Sequence, residues 1–470
     1  TVVPTATSTP TSTNTPVPIA TATSTLPPPP TIPPLSFVVN STLDPGATTC
    51  TVTACTLRAA ISAANAHLGT DLITFNIPGG GAQTIAPASP LPPVTDPVTI
   101  DGTTEPGFAG IPLIELNGLG AGAGVDGLTI TAGSSIVKGL IINRFGGSGV
   151  VLSTNGGNAL IGNAIGTNAA GAALGNGGDG VRIGGSPNNT VGGSSPNTIA
   201  YNGGSGVQVI AGTGNKITRN SIYANTAEGV TLTSGGNSSL AAPMLSAAGT
   251  DGVSTSVQGV LSTGAPAGQM YTIELFDNVV CGPPAGFGQG RTLIGTATVT
   301  TVAGGNANIN LYTNAAYAFA GTAGHFVTAT ATDALGNTSR FSACFTGTTA
   351  LDSDGDVCLD SKELGPDPRL GGDRDPLKAW DFFDVPVPVL TAGNPAGTRN
   401  KVVNISDVIA IVNYVGTFAG GSPNLNGVSY SSDLNGNGVA NGQEYDRSPS
   451  TTPGKPWRSG PPSGADNISD

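Results

Sequence analysis

The chain has 470 residues, 71 of them glycine and 37 proline, with only 10% charged and 5% aromatic. Glycine costs about 1 kcal/mol and proline about 3 kcal/mol in a helix interior, which excludes a helix-rich architecture. Collagen is excluded because glycine shows no three-residue period. The formal net charge is −12 with no basic cluster. This argues against nucleic acid and anionic lipid as partners and leaves room for cations. No apolar run is long enough for a membrane span.

Residues 1–35 contain 11 Thr and 10 Pro, and the first charge is Asp44. Such text cannot bury a core and favours extended conformations. Its Thr-Pro and Ser-Thr repeats read as a stalk carrying O-glycans, or as an arm that packs on a neighbouring subunit. The sequence opens on Thr1, so a leader is expected to precede it.

The five cysteines are Cys50, Cys55, Cys281, Cys344 and Cys358. None forms a CxxC pair and the two histidines stand apart, which argues against zinc. One or two structural disulfides in an oxidising compartment are expected.

Residues 50–66 carry the clearest helix pattern. Leu57, Ala60, Ile61 and Ala64 share one face, with Thr56 as N-cap. Cys50 and Cys55 are placed to close a small loop just before it. Residues 71–77 (DLITFNI) alternate like a strand.

Residues 127–232 hold an internal repeat of three short texts. The first opens at Gly127, Gly149, Gly180, Gly206 and Gly229. The second begins at Asn158, Asn189 and Asn215, always nine residues later. The third begins at Asn163, Asn197 and Asn220. Each text is a short strand with alternate aliphatic residues, separated by Gly- and Asn-rich turns. Full turns of 22, 31, 26 and 23 residues describe a parallel β-helix, stabilised by stacking neighbours. The asparagines are expected to adopt left-handed backbone and to bond locally. The longest turn carries an insertion at 167–178 that must loop outward. A sandwich of hairpins, the competing reading, does not explain the constant nine-residue offset.

TLDPGATTCTVTACTLRAAISAAN (42–65) resembles the CSLREA-type module of bacterial surface proteins. Residues 100–118 and the repeat resemble the right-handed parallel β-helix that follows it. Cys55-Thr56-Leu57-Arg58 and Asn65 fit, whereas Ala59 or Ala60 stands for the usual Glu. The resemblance implies that the helix caps the N-terminal end of the coil, whose open end is otherwise an unpaired sheet edge.

Residues 243–346 change character, with strand-like texts at 271–276, 292–299, 306–312 and 325–333. They predict an antiparallel sandwich and are similar to bacterial Ig-like modules. That resemblance pairs Cys281 with Cys344. His325 reads as a surface or strand residue.

Two acidic loops have the spacing that wraps oxygens around Ca²⁺. In the first, Asp352, Asp354, Asp356, Asp360 and Glu363 supply carboxylates and Cys358 a backbone carbonyl, although Val357 replaces the usual turn glycine. It resembles a thrombospondin type 3 or EF-like loop. In the second, Asp433, Asn435, Asn437, Asn441 and Glu444 align, with Gly438 at the turn and Val439 as carbonyl donor. Only two charged ligands predict weak affinity, about 10⁻⁴ M or worse. Residues 404–416 read as an amphipathic helix resembling that of a dockerin, which implies a cohesin-like partner. The loop before it has Ala396 and Thr398 where acids belong and is not expected to bind calcium. Cys358 has no evident partner, and a free thiol or a bond outside the chain both fit.

Catalysis on a β-helix needs a carboxylate pair or a metal-bound base in a groove. Between 120 and 240 the charges are Asp126, Lys138, Arg144, Asp179, Arg182, Lys216, Arg219 and Glu228. No two acids match on adjacent turns, and the groove reads as nearly free of aromatics.

The expected fold is therefore all-β. A stalk or arm spans 1–35, a capped β-helix 36–240, an Ig-like sandwich 241–348, a calcium-binding dockerin-like module 349–447 and a Pro/Ser/Gly-rich tail 448–470. The expected function is an extracellular structural or adhesive protein without catalysis, assembling as a homo-oligomer, filament or surface layer. The alternative is a polysaccharide-binding protein or a lyase or hydrolase acting in the coil groove.

Overall fold

The computed structural model describes residues 33–46, 49–250, 255–283, 288–313 and 325–347. The arm at 1–32, both calcium loops, the helix at 404–416 and the tail at 448–470 lie outside the described residues.

Three parallel sheets wind around one core. The first orders Ser36–Val39, Asp71–Phe75, Val98–Asp101, Ile136–Lys138, Ala159–Ile161, Thr190–Gly192 and Lys216–Thr218. The second orders Gln83–Ile85, Ile114–Asn117, Leu140–Asn143, Ala164–Ile165, Thr198–Ala200 and Ser221–Tyr223. The third orders Leu128–Ile130, Val150–Ser153, Val181–Gly184, Val207–Ala211 and Val230–Leu232. Every pairing within these sheets is parallel, which rules out the hairpin sandwich for this region.

Register follows the repeat. Leu128, Val150, Val181, Val207 and Val230 stack in one inward row. Ile142, Ile165, Ile199 and Ile222 form another. All are 0–1% exposed. Each such side chain contributes about 1.5–3 kcal/mol on burial. No single turn can bury its own row, so the stack folds as a unit. The coil also extends upstream of the repeat, to Ser36.

The corners depart from the expected backbone. The asparagines that open the repeated texts are not left-handed, although Asn237 beyond them is (φ 46°); where the corner needs positive φ, the residue before the corner position carries it. Ser134, Gly157, Asn188 and Gly214 do so at the corner between the third and first sheets, and Arg144, Tyr201 and Ala224 between the second and third. The asparagine side chain is thereby turned along the rod axis. The insertion is also shorter than expected: residues 169–173 are exposed, while Asn176 belongs to the coil interior at 2% exposure.

The helix Leu57–Ala66 closes the N-terminal end. Leu57, Ala60, Ile61 and Ala64 are buried, and Thr56 Oγ1 accepts the Ala59 amide at 3.2 Å. Arg58 clamps the cap. It donates to both carboxylate oxygens of Asp44 at 2.6 and 2.7 Å and to the Pro90 and Ser89 carbonyls at 2.6 and 3.0 Å. Asn65 receives the Thr95 amide and donates to the Pro93 carbonyl. Two residues that carry the family resemblance thus hold the cap to the first turns.

The Arg58 hydrogen bond holds the Asp44 carboxyl below the usual carboxylate range. A depressed folded-state pKa stabilises above the unfolded value of about 3.9 and loses that stabilisation as pH falls through the folded value. Arg58→Ala strands a nearly buried carboxylate and is expected to cost about 3–5 kcal/mol at neutral pH. The deficit should shrink in melts below about pH 3.9, where Asp44 protonates in the unfolded chain; a pH-independent deficit would contradict this account.

Beyond the coil, two antiparallel sheets face each other. One contains Met244–Thr250, Thr255–Ser262 and Asn306–Thr313; the other contains Thr292–Thr300, Met270–Asn278, Phe326–Asp333 and Phe345–Thr346. Ile273, Leu275, Leu261, Ile309 and Ala329 form their shared core. The four strand texts read between 271 and 333 are all strands here. Cys50–Cys55 and Cys281–Cys344 are disulfides, which suits an oxidising compartment.

Candidate functional site: corner ladders, the coil flank and the junction

Three ladders of buried asparagine run along the corners. At the first-to-second corner, Asn163 Oδ1 accepts the Leu140 amide, Asn197 Oδ1 the Asn163 amide and Asn220 Oδ1 the Asn197 amide, at 2.8–3.1 Å. At the third-to-first corner, Asn158, Asn189, Asn215 and Asn237 do the same. At the second-to-third corner the members are Asn176, Asn202 and Asn225. All are at most 2% exposed. Most of the amide nitrogens also donate to the oxygen of the next member, as Asn163 Nδ2 does to Asn197 at 3.0 Å. An amide carries donor and acceptor on one short group, so it can link turns in both directions without charge.

The sandwich completes these ladders. Gln289 Oε1 accepts the Asn225 amide at 3.0 Å and so occupies the next position of the third ladder. Asn337 Oδ1 accepts the Gly214 amide, Thr338 Oγ1 the Ile217 amide, and Glu274 Oε2 the Arg219 amide. Ile222 and Gly290 exchange backbone bonds of 2.7 Å. Phe341 and Phe276 join the coil core as a perpendicular pair with centroids 5.3 Å apart. The second module is therefore the C-terminal cap of the coil.

With both ends covered, the exposed coil surface is its flank. Asp126, Ser148, Asp179, Ser205 and Glu228 each precede the first text and align turn by turn. The Ser148 amide donates to Asp126 Oδ1 and the Ser205 amide to Asp179 Oδ1, both at 2.7 Å. Acids thus recur on alternate turns. The Ser205 and Thr231 hydroxyls bond at 2.7 Å, and Arg340 pairs with Glu228. Burial pushes the Asp179 carboxyl up, opposed by the Ser205 amide and Arg182; Asp126 adds to the rise.

Arg182 is exposed on its strand. Lys216 and Arg219 are exposed as well. Lys138 bonds Asp101 at 2.8 Å. The histidines are not isolated, since His67 Nδ1 meets Asp71 at 2.8 Å and His325 Nδ1 meets Asp277 at 2.9 Å. Among the described residues no three metal-ligating side chains converge, and no helix is long and apolar enough to cross a membrane.

The flank is also less poor in aromatics than expected. Tyr201 and Tyr223, on successive turns, meet edge to face with centroids 5.5 Å apart. The Arg291 guanidinium lies 4.8 Å from the Tyr223 centroid. Burial pushes the Tyr223 phenol up, Tyr201 adds to it, and Arg291 opposes it.

No family model matches the chain, and no curated protein matches it. Among solved structures it is similar to full-length tailspike protein 2 of an Escherichia coli O157:H7 bacteriophage. The identity is 12%, the match covers 60% of this chain and 59% of that one, and the TM-score is 0.18. The enzymatically active domain of bacteriophage CBA120 tailspike protein 2 gives 12%, 61%, 67% and 0.17. At these TM-scores the likeness carries no argument, and the parallel coil rests on its own hydrogen bonding.

Proposed function

We propose that the chain is an extracellular adhesive rod that holds an extended polysaccharide along its flank. The observation that carries this reading is the in-register stack of turns closed at both ends. Such a rod repeats each outward position every ~4.8 Å, and a periodic surface suits a periodic polymer. Glycan-array binding of the full chain tests it; no retention on any polysaccharide would leave a purely structural rod.

A second reading, hydrolysis of the bound polymer, is favoured by one observation. Asp126 and Asp179 match in position two turns apart, about 9.5 Å along the axis, near the upper end of the 6.5–9.5 Å separation of inverting glycosidases. Asp179, with its raised pKa, is the candidate acid. If this reading holds, Asp179→Asn keeps its bond to the Ser205 amide yet lowers reducing-end release at least about a hundredfold. Absence of release by the unaltered chain ends the reading.

The loops at 352–363 and 433–444 are proposed Ca²⁺ sites that stabilise a docking tail with a cohesin-like partner, and the arm at 1–35 a self-assembly element. Millimolar Ca²⁺ should then raise a thermal transition that chelator lowers, and removal of 1–35 should reduce the assembled mass.

A further inference from the structure

Tyr201 sits at a corner with φ of 63°, a conformation that costs a bulky non-glycine residue about 1–3 kcal/mol. The corner itself imposes this backbone, as it does on Arg144 and Ala224 in the other turns; what is particular to Tyr201 is a ring that is half-buried rather than tucked into the core. The returning limb of the insertion abuts it: a Cβ on Gly175 would lie 1.9 Å from the Tyr201 carbonyl oxygen. On the next turn Tyr223 points outward from a strand whose middle residue, Ile222, is the buried one. Beyond that, the Ile222–Gly290 bridge delivers Arg291, and the Ser221 hydroxyl donates to the Arg291 carbonyl at 2.6 Å. The two rings therefore lie side by side on successive turns, with the returning limb of the insertion at Tyr201 and the sandwich residue Arg291 at Tyr223.

Arg291 is exposed; among the described residues its guanidinium has no carboxylate partner and lies over the Tyr223 ring. In a chain with 29 acids against 17 bases, an arginine left over beside two aromatics is a local cation that the overall field does not explain. Aromatic faces take the apolar faces of pyranose rings, and a guanidinium forks onto a carboxylate.

We propose that Tyr201, Tyr223 and Arg291 form a subsite for a uronate-containing polysaccharide. This rests on the adhesive-rod reading and names where and what the rod binds. Because the net charge is negative, attraction is confined to the surroundings of Arg291, within a Debye length of about 8 Å at physiological salt.

The test is calorimetric titration of the full chain with polygalacturonate and with its neutral methyl ester. Three variants accompany it: Tyr201→Gly, Tyr223→Ser and Arg291→Ala. Tyr201→Gly removes the ring while relieving the left-handed strain, so its melting temperature should not fall. The unaltered chain is expected to bind polygalacturonate at least tenfold more tightly than the ester. Tyr201→Gly and Arg291→Ala should each lose about tenfold, and Arg291→Ala should abolish the preference over the ester. Equal binding by the unaltered chain and all three variants would overturn the subsite while leaving the rod reading intact. Equal binding of acid and ester would overturn the uronate assignment. No binding here or on the glycan array would overturn both.

Discussion

Asn197→Ala is expected to destabilise the coil by about 4 kcal/mol, far more than a typical polar substitution. Asn197 accepts the Asn163 amide at 2.8 Å and its Nδ2 at 3.0 Å, and donates to the Leu160 carbonyl at 2.8 Å. Truncation strands those groups where Asn197 itself is 0% exposed and Asn163 2%, and each orphaned buried group costs about 1–3 kcal/mol. Asn155 is the control: it is exposed and its side chain makes one bond to the Thr131 carbonyl, so Asn155→Ala should stay within about 0.5 kcal/mol. Asn197→Asp is the sharper variant. It keeps the shape but places a carboxylate against the Leu160 carbonyl, so burial raises its folded pKa. Its penalty is absent below the unfolded value of about 3.9 and grows as pH rises toward the folded value. Denaturant melts of the three variants, with Asn197→Asp repeated across pH, read this directly. Equal losses at Asn197 and Asn155 would show that the ladders are incidental.

The second large effect lies at the junction. A chain ended at Ala242 should aggregate, because three strand edges, Lys216–Thr218, Ser221–Tyr223 and Val230–Leu232, lose their covering together. Unpaired parallel edges over an aliphatic core are templates for another chain. The milder Phe341→Ala should cost about 3–5 kcal/mol, since Phe341 is 3% exposed and belongs to the coil core. Light scattering and melting of both variants test the point. A shortened chain with unchanged assembly state and melting temperature would mean that the sandwich is an independent appendage.

Much of the coil was legible because stacking imposes period. The Asn-initial second and third texts marked the members of the first two ladders, though not their bonding from turn to turn, and the apolar face of 57–64 located the N-terminal cap. The third ladder escaped notice because Asn176, Asn202 and Asn225 lie in turns of unequal length. Their signal was the other offset: each stands four residues before a Gly-Val text. The upstream turns were reached through the resemblance of residues 100–118 and not through the repeat, because their corners are built otherwise, with Asp101 and Asn117 capping short 3-10 turns. The role of Asn337, Thr338 and Phe341 was hidden by distance. Their text marks the end of a sandwich, whereas their partners at Gly214, Ile217 and Asn237 lie over 100 residues earlier. Tyr201 and Tyr223 are unremarkable until the coil brings successive turns together.

The ladders make every turn offer on one side what it accepts on the other. A duplicated turn would therefore find its donors and acceptors already waiting, and each added copy would lengthen the rod by ~4.8 Å with neither terminus redesigned. Length would then be adjustable in whole-turn steps, with both caps left as they are.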